Sequence, residues 1–343
     1  MNKTLDTKLA MLANDPAADC FILADAKDPD MARGVASAGK NADGSLRSIN
    51  DLRDQIREIV AQGLVDIMLM SASTSEILTI EERIFDASAV TPAARANDTT
   101  DLHLARGSCY AAAPSRPFMS TTIDHIQAGK SPCNHTERSR GANLGLYSVT
   151  FNNIPERDLE SLEAYKAFRL EAEAKGFRHF LEVFPPNVPA NVHGLSPEII
   201  PAFMNDHIVR MLAGVPKTSR PCFLKMPYLG PRAVEELCAY DPSIIVGVLG
   251  GSAGTTHDAF HLVADSRKHG ARVALFGRKI VAAEHQLSFV AHLRLVADNQ
   301  LTAREAVKSY HAALRKLGIA PHRSLEDDLS MTETVVAYGG TTK

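Results

Sequence analysis

Four stretches of this chain carry side chains suited to covalent or anion chemistry. Lys225 closes the apolar run Cys222-Phe223-Leu224, which lies between Pro221 and Pro227. A buried ammonium is costly unless it is paired or neutralised. The same desolvation lowers a lysine's pKa and makes its amine a nucleophile toward carbonyls. An amphipathic lysine whose head reaches water gives the same local pattern. Glu182 lies in His179-Phe180-Leu181-Glu182-Val183-Phe184, ahead of Pro185 and Pro186. A carboxyl in an apolar pocket can shuttle a proton near neutral pH, or can serve as a structural partner of Lys225 or an arginine. Gly250-Gly251-Ser252 and Gly277-Arg278 each follow an apolar run. Small residues there let backbone N–H groups approach a phosphate, and the start of the following helix favours negative charge. Arg278 adds a charge-assisted contact.

Elements that would position these groups recur along the chain. Strand candidates are Phe21 to Asp25, Asp66 to Met70, Phe118 to Ile123, Leu144 to Phe151, His179 to Phe184, Cys222 to Leu224, Ile244 to Leu249 and Ala271 to Phe276. Helical patterns fall mostly between them: one capped by Asn50, one over 155–175, and a last one opened by the capping box Thr302-x-x-Glu305. Eight continuous apolar strands alternating with helices indicate a parallel α/β protein buried on both sheet faces. The eightfold count favours a closed (β/α)8 TIM barrel over an open doubly wound sheet. Gly250, Gly251 and Gly254 also lack the G-x-G-x-x-G spacing of a dinucleotide loop. We expect a single domain over 1–343. Residues 87–117 show no period and read as an insertion or lid between strands two and four.

A barrel's site lies at the carboxyl ends of its strands. Those ends supply Asp25, Ser71, His125, Asn152, Glu182, Lys225, Gly250, Gly251, Ser252, Gly277 and Arg278. Phosphate sites are frequent after strands seven and eight. His135, Arg138 and Arg140 lie in a further loop, read as solvated.

Composition excludes several classes. Of 343 residues 45% are hydrophobic and 22% charged, enough for a large core, and the net charge of −3 gives no reason to expect nucleic acid or an anionic membrane. No run has the length of a membrane helix, and Met1 to Asp15 has no apolar signal-type core, so a cytoplasmic protein is expected. The five cysteines are scattered, so reduced thiols are expected. No His, Cys or acidic spacing forms a metal site, so neither metal nor organic cofactor is expected.

Three segments give the chain a family likeness. Phe223-Leu224-Lys225-Met226-Pro227-Tyr228-Leu229-Gly230, Val248-Leu249-Gly250-Gly251-Ser252 and Val273-Ala274-Leu275-Phe276-Gly277-Arg278-Lys279 resemble the class I, Schiff-base fructose-bisphosphate aldolases of bacteria and archaea. The likeness extends to the related deoxyribose-phosphate aldolases and the autoinducer-2 phosphate thiolase. It covers Phe21 to about Ala283. It implies that Lys225 forms the Schiff base, that the two glycine loops hold phosphate, and that Asp25 matches the family's first-strand aspartate. It also implies a homo-oligomer. The family's Asp-His-Gly reads Asp25-Ala26-Lys27 here. Its strand-five tryptophan and proton-donating tyrosine read Glu182 and Phe184. Phenylalanine cannot transfer a proton, which makes Glu182 the leading donor, ahead of Tyr147, Tyr228 and His125. The expected activity is a lyase making or breaking a carbon–carbon bond in a phosphorylated ketose-like substrate. Alternatives are a transferase of transaldolase or thiolase type and a sugar-phosphate-binding protein without turnover.

Overall fold

A computed structural model describes residues 2–41, 43–251 and 254–332. Eight parallel strands form the sheet: β1 (Ile22–Lys27), β2 (Ile67–Met70), β3 (Thr91–Arg95), β4 (Leu144–Thr150), β5 (Arg178–Phe184), β6 (Leu224–Lys225), β7 (Gly247–Leu249) and β8 (Val273–Phe276). Each pairs with its sequence neighbour, and β8 pairs with β1. The β6 and β7 backbones meet through Met226 N–H to Gly247 O at 3.0 Å and Leu249 N–H to Met226 O at 2.9 Å, which closes the barrel. Gly247 is required at that seam, because a Cβ there would lie 2.3 Å from the Leu224 carbonyl oxygen.

Seven of the expected strands overlap observed ones, Cys222 to Leu224 sharing only Leu224 with β6; the third does not. β3 is Thr-Pro-Ala-Ala-Arg, inside the segment read as an insertion, and pairs with β2 and β4. All five residues are buried, but Thr91 is the only β-branched one and none is aromatic, so the strand signal is weak. Of the expected strand at 118–123, Pro117–Phe118 pairs antiparallel with Asp98–Thr99, and 123–128 is a short helix. The long loop therefore lies after β3.

Alternation sorts each strand into two faces. Ile22, Ala24, Ile67, Leu69, Ala93, Leu144, Leu146, Phe180, Phe223, Val273 and Leu275 fill the barrel interior. Phe180 and Phe223 stack there at 4.7 Å. Leu5 and Leu12 of α1 (Thr4–Asn14) join this cluster and plug its amino end. The other face packs against helices α2 (Ile49–Gln62), α3 (Pro155–Ala174), α4 (Ile200–Ala213), α5 (Pro231–Tyr240), α6 (Thr256–Lys268), α7 (Gln286–Ala297) and α8 (Ala303–Lys316). Ser48, rather than Asn50, caps α2, in a capping box with Asp51. Thr302 and Glu305 form the box that opens α8.

Candidate active site

Strand register builds the site. Phe223 points into the barrel and Leu224 away from it, so Lys225 points inward at the carboxyl end. Phe180 places Glu182 in the same way, and Leu146 places Ser148. Ser148 pairs in register with Glu182, and Glu182 with Lys225, so the three stand side by side on β4, β5 and β6. Lys225 Nζ lies 2.5 Å from Glu182 Oε1, and both residues are buried, at 7% and 2% exposure. Ser148 Oγ donates to Glu182 Oε2 at 2.6 Å.

Arg95 of β3 completes the floor. Its Nε donates to Asp28 Oδ2 at 2.6 Å and its Nη1 to Ser148 Oγ at 3.1 Å. Its Nη2 lies 3.5 Å from Glu182 Oε2. Burial opposes its charge, but Asp28, Glu182 and Asp98 outweigh that and hold it above the ordinary arginine range. Asp98 is pushed up to about 6, chiefly by burial. The floor is thus an alternating row of Asp28, Arg95, Glu182 and Lys225. It opens into a cavity of about 640 Å³, whose walls include Phe184, Gly250, Gly277 and Arg278.

Four of the expected strand-end residues, Asp25, Ser71, His125 and Asn152, do not line the cavity. Asp25 follows inward Ala24 and precedes Ala26, which lines the cavity, so its side chain faces the helices. It is fully buried, 3.3 Å from Lys27 Nζ, which also donates to Gln286 Oε1 of α7. Burial pushes Asp25 up to about 6 and pulls Lys27 down. The pair belongs to strand–helix packing, and Asp28, just past the end of β1, is the acid that reaches the cavity. Tyr147 and Tyr228 do not line it either. Tyr147 packs on Tyr165 and Phe168, Tyr228 donates to Asp265, and His125 bonds Thr122. Arg138 is tied to Asp124.

The two glycine loops meet at one side of the cavity. A Cβ on Gly250 would lie 2.1 Å from a Phe276 ring carbon, and one on Gly277 2.5 Å from the Ala26 carbonyl oxygen. Packing alone therefore demands glycine at both. Arg278 stands at the mouth, where desolvation and neighbouring Arg33 hold it below the usual arginine range. Gly251 is half-buried; Ser252 lies outside the described residues. The amino end of α6 is filled by the chain's own acids. Thr256 N–H donates to Asp328 Oδ1 at 2.8 Å and Thr255 N–H to Asp258 Oδ2 at 2.7 Å. An anion here would meet Gly250, Gly277 and Arg278 rather than that helix end.

Among the described residues no group of three or more His, Cys, Asp or Glu is placed to hold a metal, and no helix is long and apolar enough to cross a membrane. Sequence reasoning missed Arg95, Ser148 and Asp28. Extending the Leu144, Leu146 alternation by one step finds Ser148.

No family model and no curated protein matches the chain. Solved structures of similar fold include an archaeal fructose 1,6-bisphosphate aldolase, at 15% identity and TM-score 0.60, covering 85% of this chain and 99% of that one. The fructose-bisphosphate aldolase of Slackia heliotrinireducens is 14% identical with TM-score 0.63, covering 90% of each chain. A further archaeal structure, with its catalytic lysine bound to a carbinolamine intermediate, is 16% identical with TM-score 0.60 and covers 84% and 99%. The chain thus shares the barrel fold of these aldolases.

Proposed function

We propose that the protein is an aldolase-type lyase that makes or breaks a carbon–carbon bond in a phosphorylated ketose-like substrate through a Schiff base on Lys225. The observation that carries this reading is the 2.5 Å contact between Lys225 Nζ and Glu182 Oε1 at the floor of the cavity. An ammonium is no nucleophile; a carboxylate in contact can take its proton and release the amine. The amine then attacks the substrate carbonyl carbon, giving a carbinolamine. Glu182 returns the proton to the carbinolamine hydroxyl, water leaves, and a protonated imine remains. That imine draws in the electron pair of the breaking carbon–carbon bond while Glu182, again a carboxylate, takes the proton of the departing carbon's hydroxyl. The aldehyde leaves, and the enamine that remains is protonated and hydrolysed from Lys225 by water. Phe184 lines the cavity but offers no proton, so Glu182 is the acid and base of the imine steps. Gly250, Gly277 and Arg278, which line the cavity, bind the substrate phosphate.

The test is aldehyde release from a panel of ketose phosphates, with and without an added acceptor. Release without acceptor supports the lyase. Product formed only with acceptor supports a transferase. Binding without turnover of any member refutes the enzyme.

A further inference from the structure

The imine steps use Lys225 and Glu182 but leave Arg95 unexplained. It lies on the floor at 5% exposure and touches three partners at once. The two oxygens of Glu182 have different surroundings. Oε2 accepts from Ser148 and faces Arg95, while Oε1 faces Lys225. A carboxylate without such neighbours turns about its last bond and presents either oxygen. Here donors on one side fix it.

We propose that Arg95 is a positioning residue for the Schiff-base step: it holds Oε2 of Glu182, directly and through Ser148, so that Oε1 exchanges protons with Lys225, and Asp28 holds Arg95 in turn. The role rests on Lys225 being the nucleophile. A guanidinium suits it, because its planar fork reaches Asp28, Ser148 and Glu182 in fixed directions, which a lysine cannot reproduce. It also stays charged throughout, so it never competes for the travelling proton. The groups that bear on Glu182 are Lys225, Arg95, Asp98, Arg278 and the Ser148 hydroxyl, with Asp28 behind Arg95.

The experiment measures adduct formation with dihydroxyacetone phosphate and cyanoborohydride by intact mass, across pH 5 to 9. The proteins are the wild type, Arg95→Met, Arg95→Lys and Ser148→Ala. Arg95→Met is expected to slow trapping roughly tenfold or more at neutral pH. The acid limb of its trapping profile should move as well, because the fixed cation beside the proton-exchanging pair is gone. Arg95→Lys should restore the position of that limb but not the full rate. Ser148→Ala should slow trapping with a smaller shift. A folded Arg95→Met with an unmoved profile would overturn the role. If Arg95→Met does not fold, wild-type rate and profile in Ser148→Ala overturn it instead. Absence of any adduct in the wild type removes the nucleophile itself, and this role with it.

Discussion

Replacing Glu182 by glutamine keeps the volume of the side chain and removes its charge. Lys225 and Arg95 would then face a neutral amide. Removing one partner of a buried ion pair costs about 3–5 kcal/mol. Arg95 keeps Asp28, and Lys225 borders the open cavity, so we expect the lower end, about 3 kcal/mol. Lys225→Met leaves Glu182 held by Ser148 and Arg95, and should cost about 1–2 kcal/mol. The double variant leaves no unpaired lysine. Its loss should fall short of the sum of the singles by about 1–2 kcal/mol. Urea unfolding at pH 7 of all four proteins gives the cycle. Adduct formation with a ketose phosphate should slow by about 10²–10⁴ in Glu182→Gln. Strictly additive losses, or a Glu182→Gln protein trapped at the wild-type rate, would refute the coupling inferred from the 2.5 Å contact.

Arg278→Ala should weaken phosphorylated ligands by about 1.5–3 kcal/mol while leaving unfolding nearly unchanged; calorimetric titration that finds equal affinity removes Arg278 from the site. His179 is buried against Tyr165, and burial pulls it down to about 3. It is neutral in the fold, so its contribution is present above the unfolded value near 6.5 and is lost as pH falls toward 3. Relative to His179→Gln, the wild type should lose about 2 kcal/mol between pH 7.5 and 5, and equal slopes in denaturation would contradict that. Chelators should leave ketose-phosphate cleavage intact; loss in EDTA restored by zinc would overturn the lysine mechanism.

The barrel was legible where strands are apolar on both faces, as in β5 and β8. It was hidden in β3, because Ala93 and Ala94 are small and Pro92 argues against a strand. That omission hid Arg95, the cation that organises the floor. Asp25 was misplaced for another reason. It lies near the carboxyl end of its strand, but register decides which side of the sheet it faces, and Ala24 and Ala26 already take the inward positions. Lys225 and Glu182 stood out in the sequence because charge closing or interrupting an apolar strand is costly and conspicuous. Their direct contact was not legible, since it depends on the register of β5 against β6.

The most direct measurement is the site of covalent capture. Borohydride added during turnover of a ketose phosphate reduces the imine to a stable amine. We predict one substrate fragment per chain, mapped by peptide mass to Lys225, with no adduct in Lys225→Met. A label on Lys27 or Lys279, or turnover that survives Lys225→Met, would contradict the account.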